Sequence, residues 1–556
     1  MAVQDGSTAI ASPDANASQE DIQKWLKTIT PKLLADWIAK LPKSNLPATA
    51  HLQMHVLKAL DEVNMQPMQK FALLDVLRAS AYQTVDGLTS GFMGSASGFS
   101  EEFKSIINQA MLLQGQLASS YTNVAITARL QGEQSLFIMG SALHRAMMDQ
   151  YLMLCFYLQL FLPVPQHLWR HMHRLFKVSE ESQLLAHVMG DNVFASEQML
   201  TIKQIYLAAV LMGCARCNQL HAEDVTITAK ALKKWALHAD VSKQQDAGKP
   251  HQLAVDVDSG HSPCFSLTEN LDKGKNWRYL HTGKLVSYLQ KQFGSAVKLG
   301  ERNVTLPDNL LRHLIAAWSE YVERDNTRHE RDDSVTSSIG MDSLHYYLTG
   351  AIEVERFIGE TRQTPEPVAN RKLVVGDDVP EEFNFRAYLP ADINNIEQAK
   401  YPCFDVRVIN ESVGGYCLEW PLEIQSALLV GEVIGIKESF APYWKVGEIV
   451  WMRKTEENKV RIGVRTLSSE AIPLVAKVLH NIEQRGNHLP GMLLPKDPEL
   501  GEARTTFLVP NVKLKTGEQL KVIQEGNEQA IQLLDPVKET SAYSQFDCAY
   551  LVVQKT

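Results

Sequence analysis

The chain has 556 residues, with 55 Lys and Arg against 64 Asp and Glu, so its formal net charge is −9, and 45% of its residues are hydrophobic. This length predicts several domains with an ample core, and the hydrophobic content excludes a chain that is disordered throughout. The acidic balance gives no general attraction to polyanions, so DNA and RNA are not expected partners, and any phosphate site must be a local basic cluster.

The first 240 residues are predicted to hold a disordered leader and an all-α interaction module. Residues 1–18 are rich in Ser, Ala and Asn, whereas apolar residues recur at helical spacing over 19–240. Antiparallel helical hairpins of this kind usually bind partner proteins. One helix is predicted to begin after Ser18, and the others at 51–62, 67–79, 103–117, 131–162, 166–176, 197–212 and 226–239.

The apolar segments indicate neither a secretory signal nor a membrane-spanning helix. The first ten residues lack the basic patch and apolar run of a secretory signal, and the strongest apolar run, 151–164, is shorter than the ~20 residues that span a bilayer. A cytoplasmic protein without a transmembrane segment is therefore expected. The seven cysteines are sparse and show no framework spacing, which predicts reduced thiols.

The second half of the chain changes to β character. Residues 241–319 are predicted to be a mixed connector that ends in a helix at 307–323, and a helix at 469–483 is expected to close the unit that follows. The tail, 486–556, is a β segment for which a second small barrel is one option. Alternating strands typical of a small antiparallel barrel are predicted at 334–339, 404–409, 415–420, 431–437, 446–454 and 460–466, and tail strands at 504–509, 519–524, 528–534 and 549–553.

One informative motif is Asn410-Glu-Ser412-Val-Gly-Gly415, which connects two predicted strands. An Asn and a Ser offset by two residues face the same side of an extended segment, where they offer amide and hydroxyl hydrogen bonds. Gly415 would let a planar ligand approach the backbone closely. A plain hairpin with an Asn side-chain cap remains the alternative interpretation.

A second motif is the basic segment Arg324-Asp-Asn-Thr-Arg328, with Arg331 close behind it. Two arginines spaced by four can clamp two phosphates, and a guanidinium can also donate a fork to the O6/N7 edge of a guanine. The alternative is a solvated charge run at a helix end. Arg407 and Arg386 are reserve candidates for phosphate contact.

Taken together, the two motifs resemble those of a PilZ domain, a bacterial six-stranded barrel that binds cyclic di-GMP through Arg-x-x-x-Arg and Asp/Asn-x-Ser-x-x-Gly. The resemblance covers residues 320–485. It implies that Arg324 and Arg328 contact the phosphates and guanine edges, while Asn410 and Ser412 hold the guanine and Gly415 permits its approach. The motifs lie farther apart than in the family pattern, so residues 341–400 are expected to be an insertion.

The fold class expected is therefore multidomain α + β: an N-terminal all-α module, a PilZ-like six-stranded antiparallel β-barrel and a C-terminal β-rich segment. The resemblance implies a non-enzymatic effector that binds cyclic di-GMP, uses no other cofactor, and controls motility, surface attachment, pili or exopolysaccharide through protein partners of its helical module. A degenerate barrel that binds protein only is the alternative. A thiol or zinc site at Cys214, Cys217 and His221 is a third, disfavoured because a structural zinc site normally takes four ligands.

Overall fold

The computed structural model describes residues 17–90, 101–132, 135–190, 199–246, 251–267, 275–299, 302–319, 321, 327–359, 371–374, 400–420, 428–439, 441–455, 459–478, 488–501, 504–524 and 527–553. They fall into two compact units, unit 1 (Met1–Val322) and unit 2 (Glu323–Thr556). The predicted leader lies outside the described residues as far as residue 16.

Unit 1 is built mainly of helices that surround one hydrophobic core, which confirms the predicted all-α module. Polar caps mark several helix starts: the Ser18 Oγ accepts from the Asp21 N–H at 3.2 Å, and Thr201 forms a capping box with Gln204. The helices are α1 (Gln19–Leu26), α2 (Pro31–Ala39), α3 (Leu46–Glu62), α4 (Pro67–Thr89), α5 (Glu101–Leu130), α6 (Leu136–Gln159), α7 (Gln166–Glu181), α8 (Ile202–Cys214) and α9 (Ala222–Trp235).

Helix α2 has no counterpart among the predicted helices. It buries only Leu34 and Trp37, so its apolar stripe is too short to show a clear helical period. Two residues nevertheless define where α2 begins, because Thr30 caps it and Pro31 occupies the first turn. Among the described helices, none combines the length and the apolar character that a bilayer crossing requires.

The predicted connector is a small sheet with two further helices, and it packs onto the core of the helices. Leu253, Val255 and Trp318 are buried in that core, and the Arg278 Nε donates to Glu180 Oε1 of α7 at 3.2 Å. The sheet has the order β1-β4-β2-β3, and a separate hairpin pairs β5 with β6. The elements are β1 (Asp240–Ser242), β2 (His251–Asp256), β3 (Cys264–Leu267), β4 (Trp277–His281), α10 (Gly283–Gln290), β5 (Ala296–Leu299), β6 (Arg302–Thr305) and α11 (Asp308–Ser319).

The thiol pair Cys214 and Cys217 lies in the core of unit 1. Both side chains are buried, and burial raises the pKa of each thiol well above its ordinary value. Their sulfurs contact backbone carbonyl oxygens, Cys214 that of Pro263 at 3.7 Å and Cys217 that of Met212 at 3.5 Å. Within the described ranges, no three His, Cys, Asp or Glu side chains are placed to share a metal ion.

Unit 2 consists of two β-barrels with short helices between their strands. Its elements are β7 (His329–Glu330), β8 (Ser334–Ile339), α12 (Met341–Leu348), α13 (Val354–Gly359), β9 (Arg371–Val374), β10 (Cys403–Ser412), β11 (Gly415–Trp420), β12 (Val433–Lys437), β13 (Lys445–Lys454), β14 (Val460–Ser468), β15 (Ile472–Val478), β16 (Leu489–Leu494), β17 (Thr506–Pro510), β18 (Gln519–Gln524), β19 (Asn527–Glu539) and β20 (Tyr543–Val553).

The first barrel closes as an antiparallel ring in the order β8-β10-β11-β14-β13-β12, with β12 pairing back to β8. All six strands coincide with strands predicted from the sequence, so the expected six-stranded barrel is confirmed. Its interior is filled by aliphatic side chains such as Val408, Leu418 and Ile462, each 0% exposed. The two-residue strand β7 adds to β10 and carries the end of the basic segment to the barrel.

The C-terminal strands form a second closed barrel in the order β15-β16-β17-β20-β19-β18, to which β9 adds at β20. The helix predicted at 469–483 is wrong over its described part, because residues 472–478 are the strand β15. Ile472, Leu474 and Ala476 alternate into the core of this second barrel. A short apolar run fits a strand as well as a helix, and only the pairing with β16 and β18 decides between them.

The expected insertion at 341–400 begins with α12, which packs between the two barrels. Its Leu344 and Tyr347 share a core with Trp444 of the first barrel and with Met492 and Leu508 of the second. The strand β9 of the same segment joins the second barrel. The insertion therefore contributes to the contact between the barrels.

Acidification is expected to loosen this contact through His345 of α12. The side chain is 0% exposed, its Nε2–H donates to the Leu474 carbonyl oxygen at 2.9 Å, and burial lowers its pKa to about 4. In the unfolded chain this histidine takes up a proton near pH 6.5, whereas in the folded chain it stays neutral down to about pH 4. The free energy of unfolding therefore keeps its full value above pH 6.5 and falls by about 3 kcal/mol as the pH drops towards 4.

The measurement is hydrogen exchange of the α12 amides, corrected for intrinsic rates, at pH 7.5 and 4.5. Protection of α12 should decrease at the lower pH, and His345→Gln should remove most of that decrease while keeping a donor for Leu474. Equal loss in both proteins would assign the acid sensitivity to other groups.

Candidate functional site

The hairpin of β10 and β11 carries the Asn-x-Ser-x-x-Gly motif on the outside of the first barrel. The register between these strands shifts at Ile409, where Val408 pairs with Leu418 but Asn410 pairs with Cys417. An extra residue of this kind reverses which face the following side chains occupy. Asn410 and Ser412 therefore share a face with Arg407, three residues before Asn410, which a regular strand would not allow.

A matching shift occurs in β13, where Ile449 pairs with Val464 and Trp451 pairs with Gly463, leaving Val450 as the extra residue. It brings Glu448 onto the same face as Trp451. Residues in register across β10, β11, β14 and β13 then form three rows: Arg407, Glu419, Arg461 and Arg453; Asn410, Cys417, Gly463 and Trp451; Ser412, Gly415, Arg465 and Glu448.

A cavity of about 240 Å³ lies over the second and third rows and is called here the Asn410 cavity. Asn410, Ser412 and Trp451 are half-buried around it, while the exposed Arg328 and Arg465 supply its positive charge. The Trp451 indole lies against Gly463, since a Cβ at position 463 would come within 1.8 Å of the indole Nε1. The cavity thus combines amide, hydroxyl, guanidinium and aromatic groups.

Gly415 also lines the Asn410 cavity, but its own barrel explains why no side chain is present. Its φ is +153°, and a Cβ there would lie 1.9 Å from the carbonyl oxygen of Val464 on β14. The backbone of the neighbouring strand therefore occupies the space that a side chain at position 415 would need. Ser412 is held by the same turn, because its Oγ donates to the Gly415 carbonyl oxygen at 3.4 Å.

Two arginines of the basic segment, Arg328 and Arg331, are described by the structure, and their surroundings differ. Arg328 lines the Asn410 cavity and, among the described residues, makes no ion pair. Burial raises the pKa of Cys417 in the middle row, while the charges of Arg461 and Arg328 act against that rise, which is consistent with Arg328 standing over this row. Arg324 and the reserve candidate Arg386 lie outside the described residues.

Arg331 does not line the Asn410 cavity. Its guanidinium binds Asp333 and Glu411, with Nε donating to Asp333 Oδ1 at 2.8 Å, and Glu438 lies 3.9 Å away. The hydrogen bonds that the guanidinium donates to Asp333 and Glu411 raise its pKa above the ordinary arginine value. The carboxylates thus neutralise the Arg331 charge. The bond to Glu411 also joins the end of β7 to β10 of the barrel.

The reserve candidate Arg407 also lies outside the Asn410 cavity. It donates to Asp332 at 2.7 Å and to Glu419 at 3.4 Å, and Glu419, only 4% exposed, further accepts from Lys459 and Arg461. Burial acts to raise the pKa of Glu419, but the hydrogen bonds from Lys459 and Arg461 outweigh it and keep the pKa low. Arg407 is part of a structural charge cluster.

A second cavity of about 320 Å³, the Lys445 cavity, adjoins the first and shares Ser412 and Tyr416 with it. The Tyr416 hydroxyl donates to Glu438 at 2.6 Å, and the Lys445 ammonium donates to Glu438 at 2.8 Å. Burial and the Glu438 carboxylate raise the pKa of Tyr416. Glu499, which lies between two strands of the second barrel, also lines the Lys445 cavity.

The residues that add a further charge and an aromatic surface to the Asn410 cavity, Arg465 and Trp451, were not predicted from the sequence. Both belong to strands that were predicted correctly, and the alternation of Arg461, Gly463 and Arg465 in β14 does indicate one outward face. Trp451 could not be assigned to that face, because the shift at Val450 changes the alternation in β13.

Comparison with known protein families agrees with this architecture. The model described as cyclic-di-GMP receptor FimW, N-terminal domain, matches residues 32–246, and the FimW middle PilZ domain matches 252–384 and 378–473. The FimW C-terminal beta-barrel domain matches 474–551. The chain belongs to this family of PilZ-domain cyclic-di-GMP receptors. The PilZ resemblance drawn from the two motifs is thereby confirmed.

A curated relative of the FimW family covers nearly the whole chain. It is the cyclic-di-GMP receptor FimW of Pseudomonas aeruginosa, which is 25% identical over 93% of this chain and 90% of its own length. No solved structure matches the chain. The FimW middle-domain match ends at residue 473, close to the start of β15 at Ile472. It begins at residue 252, within β2, which packs onto the helices of unit 1.

Proposed function

We propose that this chain is an effector that binds cyclic di-GMP at the Asn410 cavity. The observation that carries the proposal is the convergence of Arg328, Asn410, Ser412 and Arg465 on one cavity. Cyclic di-GMP has two phosphodiesters and two guanines, so it needs guanidinium groups for the phosphates or the O6/N7 edges and polar groups for the remaining base atoms. The half-buried Trp451 offers an aromatic surface to a base.

The ligand would extend beyond the Asn410 cavity. Small-molecule sites usually start at ~300 Å³, and this cavity of about 240 Å³ is smaller. A dinucleotide seated there would extend past Arg328 or towards the adjoining Lys445 cavity. Arg324 remains a candidate from the motif. Arg331 and Arg407 are proposed to stabilise the barrel through their ion pairs and not to contact the ligand.

We infer a binding role and no catalysis, because the Pseudomonas aeruginosa relative is described as a receptor. The output expected is control of motility, surface attachment, pili or exopolysaccharide through partners of the helical module, with the protein acting in the cytoplasm. These statements extend the family resemblance and stay predictions. A barrel that binds protein only is the competing function.

Calorimetric titration of the full-length chain tests the proposal. Cyclic di-GMP should bind saturably in the micromolar range or tighter, and cyclic di-AMP, whose adenine lacks the O6 acceptor, should bind much more weakly. The absence of binding would overturn the proposed function and favour the adaptor. Equal binding of both dinucleotides would overturn the proposed recognition of guanine at this site.

A further inference from the structure

The charge of Arg465 is shared between the Asn410 cavity and a buried carboxylate. Arg465 lines the cavity with its side chain 49% exposed, and its guanidinium donates to Glu448 Oε2 at 2.8 Å. Glu448 is the direct cross-strand neighbour of Arg465 and only 4% exposed. A buried carboxylate needs a counter-charge, so Glu448 competes with any anionic ligand for this guanidinium.

Glu448 has a second cation, and it comes from the other barrel. The Lys538 ammonium of β19 lies 2.6 Å from both carboxylate oxygens of Glu448. Irregular pairing of β19 with β20 around Pro536 and Lys538 bends the strand at this point. Nearby, the Thr540 hydroxyl donates to the Gly431 carbonyl oxygen of the first barrel at 3.0 Å.

Because Lys538 neutralises Glu448, Arg465 keeps positive charge for the cavity. Without Lys538, Glu448 would depend more on Arg465 for its counter-charge, and a phosphate that drew on Arg465 would leave the carboxylate short of positive charge. Charge pairs in such a partly buried site interact strongly enough to change affinity.

We propose that Lys538 of the second barrel is a positioning residue of the ligand site, acting through Glu448 on Arg465. The nucleotide site is thus completed by the C-terminal barrel. Ligand binding, which draws on Arg465, in turn strengthens the dependence of Glu448 on Lys538 and so couples occupancy to the contact between the barrels. This inference rests on the proposed function of the Asn410 cavity.

The test is calorimetric titration of the full-length chain with cyclic di-GMP. Lys538→Met should raise the Kd on the order of tenfold, although Lys538 does not line the cavity. In the Glu448→Gln background, the same Lys538→Met change should alter the Kd by less than about twofold, because a neutral amide needs no counter-charge.

The matched control is Lys521→Met, a lysine of the second barrel that pairs with Glu528 of its own hairpin. It should leave the Kd unchanged, and thermal melting verifies folding of each variant. If Lys538→Met does not fold, Lys538→Gln carries the same comparison.

The outcomes distinguish a failure of the proposed function from a failure of the role proposed for Lys538. No binding by the wild-type chain defeats the proposed function, and this inference with it. Wild-type binding with an unchanged Kd in Lys538→Met overturns the inference alone. A loss of equal size in the Glu448→Gln background also overturns it, because the effect would then be structural and independent of the carboxylate.

Discussion

Arg328→Ala should raise the Kd for cyclic di-GMP roughly tenfold to a hundredfold while leaving the fold intact. Arg328 is exposed, lines the Asn410 cavity and, among the described residues, makes no ion pair, so its charge is available to a ligand. Calorimetry gives the Kd, and thermal melting shows that the barrel is unaffected. Removing a solvated guanidinium leaves no buried group without a partner.

Arg407→Ala is the matched control, because Arg407 lies on the same outer face of the same barrel but outside the cavity. It should change the Kd by less than about threefold, because salt screens an exposed charge that does not contact the ligand. A larger loss for Arg407→Ala than for Arg328→Ala would place the phosphates over the Glu419 cluster and contradict the proposed site.

Gly415→Ala should destabilise unit 2 by about 4 kcal/mol or more. The new Cβ would overlap the Val464 carbonyl oxygen at 1.9 Å, and a backbone atom in a paired strand cannot move aside as a flexible side chain can. The φ of +153° adds to the cost, since residues with a Cβ rarely adopt it. Urea denaturation without nucleotide measures the change.

Gly501→Ala separates the two causes. Gly501 also has a positive φ, +78°, but a Cβ there would meet nothing within 4 Å. It should cost only about 1 kcal/mol. If Gly415→Ala costs no more than Gly501→Ala while abolishing nucleotide binding, the absence of a side chain at 415 serves the ligand, as the motif first indicated, and not the strand contact.

The barrel strands were largely predictable because they are short-range features. Alternating apolar residues and glycine-marked turns specify each strand of the first barrel, and the pair Asn410 and Ser412 lies two residues apart within one strand. The failure at 472–478 has the same origin, because a brief apolar run carries no local sign of its partner. The pairing of β15 with β16 and β18 supplied that information.

Composition, alternation and motif spacing can be read along the chain. They were therefore enough to predict the helical and β halves, the six strands of the first barrel, and Arg328, Asn410 and Ser412 as candidate site residues. Which of the described arginines line the cavity depends instead on how the strands pair. Single-residue register shifts at Ile409 and Val450 reverse side-chain direction, and they become visible only in the pairing of strands. The bond from Arg331 to Glu411 and the link from Lys538 to Glu448 likewise depend on charged groups that the fold brings together from distant parts of the chain.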